Sequence, residues 1–225
     1  MGTISVPFDD RRQAGQVLAG LLGDLAERED VVVLALPRGG VPVAYEVASA
    51  LRAPLDVFTV RKLGVPGQRE LAMGAIASGG VRVLNAEVVD ALGLGEADIE
   101  PIEREERREL ERREDRYRRG RPALDVAGRQ VIVIDDGIAT GSTMQAALQA
   151  LRQLGPAAVV VATPTASSQA CEGLGHIADR VVCAATPEPF RAVGLWYRRF
   201  DQTSDEEVEE LLGAADHDRG EPLPE

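Results

Sequence analysis

Val131-Ile132-Val133-Ile134-Asp135-Asp136-Gly137-Ile138-Ala139-Thr140-Gly141-Ser142-Thr143 is the stretch whose reading decides the fold. Four consecutive β-branched apolar residues read as a strand buried on both faces. Two carboxylates follow, then a small, hydroxyl-rich turn, then Met144 to Leu151, a run of good helix formers. A strand, a Gly-punctuated turn and a helix, in that order, bring free backbone N–H groups and the positive end of a helix dipole to one point. That point suits a phosphate. Asp135 and Asp136 cannot both serve the core, because neighbours on a strand point to opposite faces. At the strand's C-terminal end they can reach hydroxyls or a hydrated cation.

The same order of elements occurs upstream. Val31 to Leu36 is a continuous apolar run that ends in Pro37-Arg38-Gly39-Gly40, and Val41 to Leu51 then reads as a helix with Pro42 in its first turn. Gly39 and Gly40 allow backbone N–H groups to approach a ligand, and Arg38 adds a bidentate anion donor. The alternative is a tight turn with a solvent-facing Arg. A third short strand, Asp56 to Val60, runs into Arg61-Lys62-Leu63-Gly64-Val65-Pro66-Gly67-Gln68-Arg69-Glu70. This connection reads either as a mobile loop over a site or as an exposed hairpin arm. Of 25 basic residues Lys62 is the single lysine, a compact and movable charge where every other cation is a planar guanidinium.

The remaining chain supplies the frame. Pro7 to Glu27 reads as a helix capped by Asp9 or Asp10. Residues 75–78 and 81–85 flank Gly79-Gly80 as a hairpin, expected at the edge of the main sheet. A short helix follows near Ala86–Leu92. Glu96 to Arg119 holds about eighteen charges in 24 residues, a largely solvated helix with a narrow apolar stripe. Its i,i+4 pairs are Glu103–Arg107, Glu109–Arg113, Glu114–Arg118 and Asp115–Arg119. Ser167 or Ser168 can cap a helix through Ile177. Parallel-strand candidates at 31–36, 56–60, 130–135, 157–162 and 180–185 imply an α/β fold, a doubly wound parallel five-stranded sheet. Phe190 to Phe200 gathers half of the aromatics, and Ser204-Asp205-Glu206-Glu207 is a capping box for a helix through Leu212.

The net charge of −12 is uneven: residues 201–225 hold ten acids and one Arg, whereas residues 1–200 hold 27 acids and 24 bases. Neither part has the clustered positive charge that nucleic acid binding needs. No apolar run approaches a membrane span, and Met1 to Ser5 shows no secretory pattern, so a cytoplasmic setting is expected. Cys171 and Cys183, both in apolar surroundings, read as free core thiols. One domain over 1–212 is expected, with a charged helical insertion at 95–120, a small part at 186–212, and a disordered acidic tail at 213–225.

Residues 131–143 closely resemble the phosphoribosyl diphosphate (PRPP) signature of the type I phosphoribosyltransferases: four hydrophobics, two acids, two variable residues, and a small-Thr-Gly-x-Thr/Ser loop. The resemblance implies transfer of ribose 5-phosphate from PRPP to a nitrogenous base with release of pyrophosphate, assisted by Mg²⁺. It assigns Ala139, Thr140, Gly141, Ser142 and Thr143 to the 5′-phosphate. Asp135 and Asp136 fall to the ribose hydroxyls, directly or through the metal. Arg38, Gly39, Gly40, Arg61 and Lys62 fall to the pyrophosphate. It implies a cis peptide near Arg38, a variable hood in which Trp196 or Tyr197 stacks on the base or simply packs the hood, and room for a homodimer. Members acting on 6-oxopurines carry an Asp where this chain has Ala139, which disfavours hypoxanthine and guanine. A non-catalytic PRPP-binding regulator on the same fold is the alternative.

Overall fold

The computed structural model describes residues 4–218. Its centre is a parallel sheet in the order β2-β1-β6-β7-β8, with β1 at Val31–Ala35, β2 at Leu55–Val57, β6 at Gln130–Ile134, β7 at Ala158–Thr165 and β8 at Arg180–Ala185. A parallel strand lies at each of the five expected places, with the one expected at 56–60 confined to Leu55–Val57. Their apolar runs serve two cores at once. Val31, Val33, Ile132 and Ile134 face one side, and Val32, Leu34, Val131 and Val133 face the other. Helices α1 (Arg11–Leu21), α2 (Gly40–Leu51) and α7 (Asp205–Asp218) cover the first face, whereas α5 (Ser142–Gln153) and α6 (Ser168–Leu174) cover the second.

Several boundaries differ from expectation. The first helix is shorter than 7–27. Asp10 caps it by accepting the Gln13 N–H at 2.9 Å, and Leu22 leaves the helical region at φ −108°, ψ 9°. The run 56–60 is not one strand. It breaks at Phe58-Thr59, so that Val57 ends β2 and Val60 opens β3 of a different sheet. That second sheet is antiparallel and three-stranded, β3 (Val60–Val65), β4 (Gln68–Ala77) and β5 (Val81–Leu84). The expected hairpin therefore belongs to a separate sheet, not to the edge of the main one, and residues 61–74 form an ordered arm within it. Its turn passes through Gly67 at φ +78°, a left-handed conformation that favours glycine.

Helix α3 (Ala86–Leu92) and the charged helix α4 (Glu96–Arg118) pack on this small sheet, where Ile99 and Leu110 meet Leu63, Met73 and Ile76. Three of the four expected i,i+4 pairs form. Arg119 instead reaches Glu209 of α7 at 2.6 Å. The last helix does not stop at Leu212. Ala215 is buried and Asp216 pairs with Arg121, so docking contacts continue to where a disordered tail was expected. The rest of that tail, 219–225, lies outside the described residues. Cys171 and Cys183 are not free thiols, since a disulfide joins α6 to β8. Their apolar neighbourhood is shared: both side chains pack on the same core from opposite elements.

Candidate active site

The two strands at the centre of the sheet end side by side. Ala35 of β1 is in register with Ile134 of β6, and the Leu36 N–H donates to the Ile134 carbonyl at 2.8 Å. From β1 the chain proceeds to β2 on one side, and from β6 to β7 and β8 on the other. At such a switch point the flanking connections diverge and leave a crevice at the carboxyl ends of the strands.

The loops 36–40 and 135–141 meet in that crevice. A Cβ on Gly39 would lie 2.1 Å from Asp136 Oδ2, and one on Gly40 would lie 2.6 Å from the Ile134 carbonyl oxygen. Close approach, not unusual φ, requires glycine at these two positions. The Pro37–Arg38 peptide is cis, as expected. Helices α2 and α5 start from these two loops, and neither has a side-chain cap at its N-terminus, Gly39 or Gly141. The Gly40 and Val41 N–H groups of α2 turn back to the Leu36 and Arg38 carbonyls at 3.1 Å. The Ser142 N–H of α5 lies 3.4 Å from Thr140 Oγ1. It is therefore the dipole at each glycine-capped N-terminus that favours an anion there. Two such sites therefore open beside each other.

The acids sit between them. Asp135 Oδ1 accepts the Asp136 N–H at 2.9 Å. Burial, and then the neighbouring charge of Asp136, push the Asp135 carboxyl well above the usual carboxylate range. Burial raises Asp136 too, but Arg11 works against it. Arg11 Nε donates to Asp136 Oδ2 at 2.8 Å. The Tyr197 hydroxyl donates to the Asp136 carbonyl, and burial raises its pKa.

Arg61 and Lys62 separate, as adjacent strand residues must. Lys62 Nζ reaches Ser142 Oγ at 3.1 Å, so the single lysine stands at the hydroxyl-rich turn. Arg61 points to the other face and pairs with Glu106 of α4 at 2.7 Å through Nε. The structure does not bring Arg61 to the acid pair. Arg38 lies at the loop and faces Asp205 of α7 at 3.7 Å. Thr140, Ser142 and Thr143 are exposed, with Thr140 Oγ1 3.3 Å from Ser142 Oγ. Gly141 adopts φ +78°, and the Ala139 carbonyl accepts Ser167 Oγ at 2.7 Å. Of the two aromatics, Tyr197 is buried between Phe8 (5.7 Å) and Phe200 (5.0 Å) and has no open face for a base. Trp196 is half-buried beside Phe190.

Sequence reasoning does not mark Arg11, Ser167 or Asp205 as site residues. Ser167 and Asp205 stand out in sequence only as helix-start residues. Arg11 follows two acids with no local feature to mark it; only the fold brings it to a residue 125 positions away.

The family model for the phosphoribosyl transferase domain matches residues 10–183. The chain belongs to the phosphoribosyl transferase family. It is 52% identical over 214 residues to proteins of two Mycobacterium tuberculosis strains, CDC 1551 / Oshkosh and ATCC 25618 / H37Rv, whose names assign them provisionally to the phosphoribosyl transferases. The match covers 95% of this chain and 48% of each relative, so the chain spans about half the length of the curated relatives it matches. Among solved structures, the crystal structure of TT1426 from Thermus thermophilus superposes with a TM-score of 0.82 at 46% identity, covering 91% of this chain and 97% of that one.

Proposed function

We propose that this chain transfers ribose 5-phosphate from PRPP to a nitrogenous base and releases pyrophosphate. One observation carries the reading: two glycine-capped helix N-termini, after adjacent parallel strands, flank a half-buried acid pair at the switch point of the sheet. PRPP presents a matching order of groups, with a 5′-phosphate at one end, a pyrophosphate at the other and ribose hydroxyls between.

In this reading the turn 139–143 binds the 5′-phosphate through backbone N–H groups and the hydroxyls of Thr140, Ser142 and Thr143. Arg38 and the Gly39 amide bind the pyrophosphate, while the Gly40 N–H donates to the Leu36 carbonyl and holds the loop. The acid pair lies at the ribose hydroxyls, with Asp135 the member that carries no guanidinium. As the base nitrogen attacks C1′, the C1′–O bond to pyrophosphate breaks and its electron pair leaves with that oxygen. Arg38 and Lys62 stabilise the charge that develops there. Trp196 remains the candidate for stacking on the base.

The residues fit a magnesium ion. Asp135 is half-buried with no guanidinium in contact, and Mg²⁺ takes one or two carboxylates, with the rest of its shell from phosphates and water. Among the described residues no group of three acids, His or Cys forms an all-protein metal cage, in keeping with a metal shared with substrate. When bound, Mg²⁺ would neutralise pyrophosphate charge. Asp135 would hold it, with Asp136 beside it tied to Arg11. No helix among the described residues is long and apolar enough to cross a membrane. The cytoplasmic setting is part of the same proposal.

The test is incubation with labelled PRPP, Mg²⁺ and a panel of bases, following pyrophosphate release. Release with one base class, with hypoxanthine and guanine inactive, supports the transferase. Saturable binding without turnover for any base favours the regulator. No binding refutes both.

A further inference from the structure

Asp136 is held more tightly than a free ligand for metal or ribose would be. Its Oδ2 accepts Arg11 Nε at 2.8 Å, with the two side chains only 12% and 13% exposed. The same oxygen lies against the Cα of Gly39, under the 36–40 loop. Arg11 is itself fixed on three sides. Nη1 donates to the Asp201 carbonyl at 2.6 Å, and the guanidinium lies 3.9 Å over the Phe200 ring. Phe200 stacks on Tyr197, whose hydroxyl holds the Asp136 carbonyl. A charge-assisted bond from a planar fork, sandwiched on an aromatic ring, does not readily exchange for a hydrated ion. Asp135, by contrast, accepts one backbone N–H at Oδ1 and no guanidinium contacts it.

We propose that Arg11 is a positioning residue that divides the work of the acid pair. Arg11 fixes Asp136 as a buttress under the pyrophosphate loop and leaves Asp135 as the carboxylate that meets metal and ribose. The inference rests on the PRPP reading above and assigns the residue that sets charge at that site. Two carboxylates and one guanidinium leave a single net negative charge, a weak seat for a bare divalent cation and a tolerable one for a polyanionic substrate. Removal of Arg11 doubles that negative charge. Metal alone then binds tighter while the anionic substrate binds weaker. Loss of structure alone would weaken both.

The experiment uses the full chain as wild type, Arg11→Met and Arg11→Lys, with Mn²⁺ alone and PRPP–Mg²⁺ as two separate probes. Free Mn²⁺ is followed by electron paramagnetic resonance and PRPP–Mg²⁺ by calorimetry. Arg11→Met is expected to tighten Mn²⁺ by about tenfold and to weaken PRPP–Mg²⁺ by about tenfold, the size of one added charge at a partly screened site. Arg11→Lys keeps the charge and should hold Mn²⁺ near the wild-type affinity. Shifts of both probes in the same direction, or no shift in Mn²⁺ affinity, would overturn the assignment. If wild type binds no PRPP, the functional proposal fails, and the Mn²⁺ comparison still decides the role of Arg11.

Discussion

Lys62 Nζ lies 3.1 Å from Ser142 Oγ, across 80 residues of sequence and from one sheet to the first turn of a helix on another. The antiparallel arm thus delivers one mobile charge to the anion site, while its neighbour Arg61 fastens the arm to Glu106. Lys62→Met should lower PRPP affinity by about tenfold to a hundredfold, the loss of one charge-assisted hydrogen bond. Because Lys62 is exposed, the melting temperature should not move. Arg61→Met should do the reverse, with near-normal PRPP affinity and a less stable arm. Calorimetry and thermal melts on both variants separate the two roles.

Gly40→Ala should damage the site through backbone contact. The added Cβ would meet the Ile134 carbonyl at 2.6 Å, and neither atom can rotate away. The expected loss is about 1–3 kcal/mol of stability, typical of overpacking, together with loss of PRPP binding. Gly20→Ala is the control, since nothing lies within 4 Å of its added Cβ. Chemical denaturation of both variants provides the comparison.

Asp56 and Arg118 form a buried pair at 3.0 Å between β2 and the end of α4, with side chains 8% and 10% exposed. Arg118→Met leaves Asp56 buried without its counter-charge and should cost about 3–5 kcal/mol. The exposed pair Arg104–Glu100 should give less than about 1 kcal/mol on the same substitution. Urea unfolding reads both.

The raised Asp135 carboxyl makes the ligand-free fold pH-dependent. Its folded pKa lies above the unfolded value, so the stabilising contribution is full below the unfolded pKa. That contribution is lost as pH rises through the folded pKa. Asp135→Asn removes the buried charge and should raise the melting temperature of the free protein at pH 7 by about 2–4 °C for each kcal/mol recovered. The same variant should lose PRPP–Mg²⁺ binding. A melt that is unchanged, or lower, at pH 7 would contradict the assignment.

The central sheet was legible because β1, β6 and β7 are buried on both faces and therefore carry continuous apolar runs, Val31–Ala35, Val131–Ile134 and Ala158–Ala162. The acid pair, the turn 139–143 and the Gly-Gly loop were legible because each is local. The break at Phe58-Thr59 was not, since no Gly or Pro punctuates a run that changes sheets there. Nor was the reach of α7: its charge suggested a free tail, whereas Asp216 pairs with Arg121 and Ala215 is buried. The bond between Cys171 and Cys183 depends on how α6 folds back on β8, and the Arg11–Asp136 pair depends on α1 crossing to β6. Contacts of that kind leave no periodicity to read. Strand alternation could have separated Arg61 from Lys62 in advance.

The most direct test of the account is a calorimetric titration of the full chain with PRPP in the presence of Mg²⁺, repeated with Asp135→Asn. The account predicts saturable one-to-one binding that pyrophosphate competes away and that Asp135→Asn abolishes. No binding by the wild-type chain, or equal binding by Asp135→Asn, would contradict it.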